Sequence, residues 1–209
     1  MTRPSRKPAV PAGNRAEADR ERILAAAARL FRRHGFDGTT VRQIAEACDM
    51  LPGSLHYRYR SKDDILLDMM RLGIEKTIRA GAEATAQVAD PLQKLRVALQ
   101  AHMRVLMSGD DLVYVLLFEW RALQGKAREE MIAERDRYER YWDAMLAALK
   151  QQGHIRADVD IRLVRLFGLG ALNWVATWYR DGGAHSLDTI GNALWDMLTR
   201  GIAVQGRTA

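Results

Sequence analysis

Cysteine is almost absent from this 209-residue chain. The lone Cys48 has no partner for a disulfide, so the fold must rest on packing, which suits a reducing cytoplasm. Proline is scarce, and three of the five lie in residues 1–16. That stretch is basic and polar with no apolar run behind it, so we expect no secretory signal. Long uninterrupted apolar runs are missing too. The most apolar stretch, residues 163–179, is broken by Arg165, two glycines and Asn173, which makes it too short and too polar for a membrane span. Period-2 alternation long enough for a sheet is absent, as is any internal repeat. Enzyme signatures are also lacking. His34, His56, His102, His154 and His185 show no HExxH or ExxH spacing, and there is no GxSxG, Walker loop or GxGxxG. A helical-bundle enzyme is therefore unsupported, and we expect no metal and no cofactor.

What is present is apolar and unevenly charged. At 48% hydrophobic residues the chain can bury a real core. Residues 1–62 carry 13 Lys and Arg against 6 Asp and Glu, a net +7; residues 63–209 carry 19 against 20, a net −1. A basic segment on a near-neutral body is the footprint of a nucleic-acid-binding module. A solvated basic tail would give the same composition.

Periodicity and capping residues predict about nine helices. Residues 1–16, with Arg3, Arg6, Lys7 and Arg15, read as a flexible basic arm. From Glu17 onward, Ile23, Ala27, Leu30 and Phe31 share one helical face, and Gly35 suits a left-handed C-cap. Thr39 or Thr40 caps a short helix over 41–47, a turn follows at Cys48-Asp49-Met50, and Pro52 opens a third helix to about Tyr59. Ser61 caps a long fourth helix with Asp63 and Asp64 in its first turn. Further helices are expected over 91–107, 112–123, 126–152, 161–179 and from Ser186 to about Gly201. Cys48 reads as a small buried helix-end residue.

The stretch from Thr39 to Leu66 carries the chemistry. It describes two short helices joined by a three-residue turn, with Val41, Ile44, Ala45 and Leu55 as a small core and Ala45 and Ala47 allowing a close crossing. That is helix-turn-helix geometry, in which the second helix enters the major groove. Its outward side offers Leu51, Pro52, Gly53, Ser54, His56 and Arg58. Tyr57, Arg58, Arg60 and Lys62 can reach phosphates, and Arg42 is a further expected DNA-binding residue. Tyr57 and Tyr59 also suit an ordinary aromatic core.

The run TTVRQIAEA…GSLHYRYRSKDDIL, with ILAAAARLFRRHGFDGTTV before it, resembles the DNA-binding domain of the TetR family of bacterial repressors over residues 17–66. Asp49 replaces the usual turn glycine, His56 the frequent tyrosine, and Arg58-Tyr59 the usual His-Phe pair. The resemblance implies phosphate contacts from Thr40, Tyr57 and Lys62, and base reading from the face Leu51 to His56. It also implies an all-α architecture: a helix-turn-helix domain at 17–62 and a ligand-binding and dimerisation domain at 63–209. It further implies a homodimer that binds double-stranded, palindromic operator DNA and is released from it by a small apolar effector. A ligand-free constitutive or architectural DNA-binding protein is the alternative.

In the body, Leu163, Phe167, Ala171, Trp174 and Trp178 share one face of a helix, and Val164, Gly168, Leu172, Val175 and Tyr179 share another. A helix apolar on two faces must bury both, one in the core and one against a second subunit. Dimer contacts are expected from Phe167, Gly168, Ala171, Leu172, Val175, Leu194 and Leu198. An effector chamber is expected from Met103, Met107, Tyr114, Phe118, Arg121, Asn173, Trp174 and Trp178, an aromatic and methionine-rich set that suits apolar ligands. The stretch LNWVATWYRDGG is similar to one in TetR relatives that control fatty-acid and steroid breakdown and sense CoA thioesters. That resemblance implies an acyl-CoA effector touching Arg121, Trp174, Trp178, Tyr179 and Arg180.

Overall fold

Ile23, Ala27 and Phe31, four residues apart, are fully buried, the spacing that stacks side chains on one helix face. They belong to α1 (Ala12–His34). The computed structural model of the chain describes residues 12–202. Beyond α1 it contains α2 (Val41–Ala47), α3 (Pro52–Arg58), α4 (Lys62–Thr85), α5 (Pro91–Leu106) and α6 (Asp111–Phe118). A 3-10 turn (Trp120–Ala122) is followed by α7 (Gly125–Gln151), α8 (Ile161–Trp178) and α9 (Leu187–Ile202). The chain is all-α, with no strand among the described residues. No helix among them is long and apolar enough to cross a membrane. Most of the expected arm lies outside the described residues; α1 starts at Ala12 rather than Glu17, because residues 12–22 carry no apolar stripe to betray the helix.

Side-chain caps set most helix starts. Thr40 and Ser61 each form a reciprocal capping box, Thr40 with Gln43 and Ser61 with Asp64. Asp90, Asp110 and Asp160 accept the first free N–H groups of α5, α6 and α8. Asp49 sits at φ 54, a left-handed position that Asp tolerates better than most residues, and it lets the chain turn between α2 and α3. Residues 112–123 do not form one helix. Glu119 ends α6 and is held by Phe36 in the loop after α1, and Leu123 is fully buried in the core, so the chain tightens into the 3-10 turn between them.

The head formed by α1–α3 has no core of its own. Ile44, Ala45 and Leu55 belong to the same buried cluster as Ile65, Met69, Met70 and Ile74 of α4 and Leu112 and Val115 of α6. Asp68 of α4 ties the head down further. Its carboxylate accepts two bonds from Arg20, at 2.7 and 2.9 Å, and one from Tyr59, at 2.6 Å. Burial alone would raise the Asp68 carboxyl, but these bonds and the Arg20 charge outweigh it and hold it below the usual range. Tyr59 thus packs inward. At Gly73 of α4 a Cβ would come within 2.9 Å of Leu112 Cδ2, so glycine lets α6 lie close against α4.

Arg165 breaks the apolar pattern of α8 for a structural reason. Its side chain is buried between α8 and α7, with Nη1 2.5 Å from Glu139 and Nε 2.7 Å from Asp143. A buried charge in an apolar stretch is tolerated when it is paired, and here both carboxylates stay partly exposed to solvent.

Candidate nucleic-acid interface and ligand cavity

α3 is short, and its only fully buried residue is Leu55. The rest of the predicted reading face, Leu51, Pro52, Gly53, Ser54 and His56, is exposed, and so is Tyr57, an expected phosphate contact. Leu51 keeps 76% of its surface and Tyr57 93%, values that internal packing does not explain for large apolar side chains. A Cβ on Gly53 would meet no atom within 4 Å, so nothing inside the chain requires glycine there. Thr40 is exposed, but its backbone N–H already binds Gln43. Arg42 is exposed and paired loosely with Glu46 on its own helix at 2.9 Å.

Two expected phosphate ligands are occupied within the head. Lys62 donates to the carbonyls of Phe36 and Thr39, at 2.5 and 2.9 Å, and its ammonium lies 4.1 Å from the centre of the Phe36 ring. It closes the loop between α1 and α2 instead of standing free for a phosphate. Arg58 binds Asp19 at 2.6 Å and the carbonyl of Ala16, because α1 runs beside the end of α3. Arg60 is exposed with no partner among the described residues and is the freer cation.

In the body, α4, α5, α6, the 3-10 turn, α7 and α8 surround a cavity of about 480 Å3. That is ample for a small ligand. Of the eight residues expected to line it, Phe118, Arg121, Asn173 and Trp174 do so. The other four do not. Met103 turns toward α9 and fills the core against Gly191. Met107 packs in that same cluster. Tyr114 stacks on Phe118, with centroids 4.8 Å apart, under Arg32 of α1. Trp178 looks outward into a groove shared with α9. A composition-based choice of aromatic and methionine residues cannot tell these directions apart.

The sequence reading missed the polar floor of this cavity. His102 of α5 is buried, with Nδ1 3.1 Å from the Tyr138 hydroxyl and Nε2 3.4 Å from Asn173 Oδ1. Burial pushes the His102 imidazolium down to about 4, and the Asn173 contact restores only part of that. The ring is therefore neutral near neutral pH. The mouth is different. Arg121, Arg135 and Arg128 gather on Trp120, their guanidinium carbons 4.7, 5.6 and 6.0 Å from its ring centre, and all three are exposed. Among the described residues, no group of three His, Cys, Asp or Glu is placed to hold a metal ion.

The two faces of α8 separate as the pattern predicted, but the expected dimer residues divide between them. Leu172 and Val175, with Leu194 of α9, are buried within the subunit. A Cβ on Gly168 would lie 3.7 Å from Leu198, so this glycine serves the α8–α9 crossing inside one chain. The outward face carries Leu163, Leu166, Phe167 (70% exposed), Trp174 (66%), Trp178 and, from α9, Met197. A groove of about 440 Å3 runs along it past Ala171. Trp174 lines both this groove and the inner cavity.

Two family models match the chain. The one described as "Bacterial regulatory proteins, tetR family" covers residues 23–69, and "Tetracyclin repressor-like, C-terminal domain" covers residues 88–202. Among curated proteins the chain is similar to the HTH-type transcriptional repressor KstR2 of Mycobacterium tuberculosis. The two are 27% identical over 189 residues, spanning 90% of this chain and 94% of that one. Among solved structures it is similar to the TetR family transcriptional regulator PfmR from Thermus thermophilus, with a TM-score of 0.72 and 31% identity over 86% of this chain and 97% of that one. It is also similar to AibR in complex with isovaleryl coenzyme A and operator DNA. There the TM-score is 0.76 and the identity 26%, over 87% of this chain and 98% of that one.

Proposed function

Because the chain belongs to the TetR family of bacterial regulatory proteins, we propose that it is a cytoplasmic, homodimeric repressor that a CoA thioester releases from a palindromic operator. It acts by binding and not by catalysis. The observation that carries this reading is the placement of the cavity. Its mouth is built by Trp120 and Arg121, and the residue before them, Glu119, accepts the backbone N–H of Phe36 in the head at 3.0 Å. Whatever occupies the cavity therefore presses on the segment that holds the DNA-binding head. A cavity of about 480 Å3 also argues against a ligand-free constitutive binder, whose interior would be filled.

The exposed residues Leu51, Pro52, Gly53, Ser54 and His56 read bases, while Thr40, Arg42, Tyr57 and Arg60 meet phosphates. The outward apolar face of α8 and α9 pairs with its copy about a two-fold axis, since a patch of that character is an interface in the making. Two heads on such an axis suit half-sites about 34–36 Å apart, or a multiple of that. Arginines clustered on Trp120 suit the phosphates of coenzyme A, and the apolar walls behind them suit an acyl chain. AibR, seen with both isovaleryl coenzyme A and operator DNA, makes this effector class the first to test.

The test is fluorescence anisotropy of labelled DNA from the region upstream of the coding gene, titrated with isovaleryl-CoA and decanoyl-CoA. Release of DNA by a thioester is the expected result. A thioester that binds tightly, read by quenching of Trp174, yet leaves DNA affinity unchanged would sink the mechanism. Release requires only that the ligand favour the low-affinity state by a few kcal/mol, about 5.5 to take a population from 1:99 to 99:1.

A further inference from the structure

The cavity floor carries polar groups that a plain hydrocarbon would leave without partners. Tyr138, His102 and Asn173 come from α7, α5 and α8 and form one hydrogen-bonded chain. With one proton between each pair, the chain can run in only two directions. In one, the Tyr138 hydroxyl donates to Nδ1 of His102 and Nε2–H donates to Asn173 Oδ1, leaving both amide N–H groups of Asn173 over. In the other, Nδ1–H donates to Tyr138 and the Asn173 amide, turned over, donates to Nε2. The Tyr138 O–H and the second amide N–H are then left over. Either way at least two donors are left over, one or both of them on Asn173, joined in the second direction by the Asn173 carbonyl oxygen, and all three residues line the cavity. Thr77 adds no acceptor need, since its hydroxyl already donates to the carbonyl of Gly73. Among the described residues no carboxylate lines the cavity, and its charged lining residues, Arg121 and Arg135, are exposed beside Trp120 at the mouth.

We propose that the effector bears a neutral oxygen, a ketone or hydroxyl, at the deep end of its acyl chain, and that Asn173, backed by His102 and Tyr138, selects for it. This rests on the CoA thioester reading above and narrows its acyl part. A saturated chain would strip water from the floor and return nothing to its donors, which is costly for buried polar groups. A carboxylate would enter with no cation on the floor to balance it. A site built to bond an oxygen rejects the analogue lacking it far more strongly than an apolar pocket rejects a missing methylene.

The experiment is calorimetry on the full-length protein with decanoyl-CoA and 9-oxodecanoyl-CoA. The oxo compound should bind about tenfold more tightly to the wild type, the yield of one well-made buried hydrogen bond. In Asn173→Leu the ratio should fall to about one or below, and Tyr138→Phe, which removes a single hydroxyl, should lower it as well. The ratio is internal to each variant, so a change in overall stability cancels. A wild-type ratio near one, or a ratio untouched in both variants, overturns the proposal. Thermal melts with 2-decanone, which has the oxygen and no coenzyme A, separate the two layers of inference. Stabilisation of the wild type but not of Asn173→Leu, with neither thioester bound, would keep the oxygen site and discard coenzyme A. No response to 2-decanone and no thioester binding would discard both.

Discussion

The backbone N–H of Phe36 donates to the carboxylate of Glu119 at 3.0 Å, across 83 residues of sequence. Phe36 closes the loop after α1, and Glu119 is the last residue before the turn that forms the cavity mouth. Arg32 makes a second link close by, to Asp111 at 2.8 Å and to the carbonyl of Gly109 at 3.2 Å. Head and body are thus joined by polar bonds at the same place where they share a core.

Removing the Glu119 carboxylate should loosen that joint. Glu119→Ala leaves the Phe36 N–H without its charged acceptor, at a cost of about 1–3 kcal/mol. Denaturant melts should show the loss in midpoint. Anisotropy with and without effector should show DNA affinity that responds less to ligand than in the wild type. Full ligand response in this variant would mean that coupling travels by another route, such as α4.

Lys62 and Arg60 should behave oppositely. Lys62→Met breaks two bonds to carbonyls inside the head and should lower the thermal midpoint while leaving the salt dependence of DNA binding unchanged. Arg60→Ala should spare stability, weaken binding to all DNA sequences alike, and reduce the slope of log K against log salt by about 1. A shallower salt slope for Lys62→Met would restore Lys62 as a phosphate ligand.

His102 sets a pH dependence of stability. Unfolded, it titrates near 6.5; folded, burial pushes it to about 4. Between those values the unfolded chain holds the extra proton, so stability present above about 6.5 is lost as pH falls toward about 4. The loss amounts to about 3 kcal/mol when complete. Urea midpoints at pH 7.5 and 5 should differ in this sense, and His102→Gln should flatten the difference.

The two faces of α8 should give different phenotypes. Phe167→Glu places a charge on a side chain that is 70% exposed, so the subunit should fold and run as a monomer in sedimentation, with much weaker operator binding. Leu172→Glu places the same charge in the core, where Leu172 is 1% exposed, and should fail to fold. A Phe167→Glu dimer of wild-type strength would move the interface elsewhere.

The head was legible because its signals are local. Thr40 and Ser61 announce helix starts, Pro52 opens α3, and Asp49 makes the turn, each through contacts within a few residues. The exposed set Leu51 to His56 follows from the helical period and the burial of Leu55 alone. The cavity was only half legible. Phe118, Arg121, Asn173 and Trp174 were found by residue type, but Met103 and His102 are neighbours on one helix, and a step of about 100° per residue sends one into the core and the other to the floor. His102 was unremarkable by motif; a histidine at a buried helical position opposite Tyr138 and Asn173 carries no sequence signature.

Period, caps and charge placement by themselves determined that the chain is helical, that its basic end forms a helix-turn-helix, and that α8 is apolar on two sides. Only the packed chain decided which side of α8 faces out, that Lys62 closes a loop, and that a neutral histidine lies beneath a mouth lined by arginines. The reason is distance along the chain. Helix periodicity and capping act over three or four residues, whereas Lys62 finds Phe36 26 residues away and His102 finds Asn173 71 residues away. Contacts of that span exist only once the helices have packed.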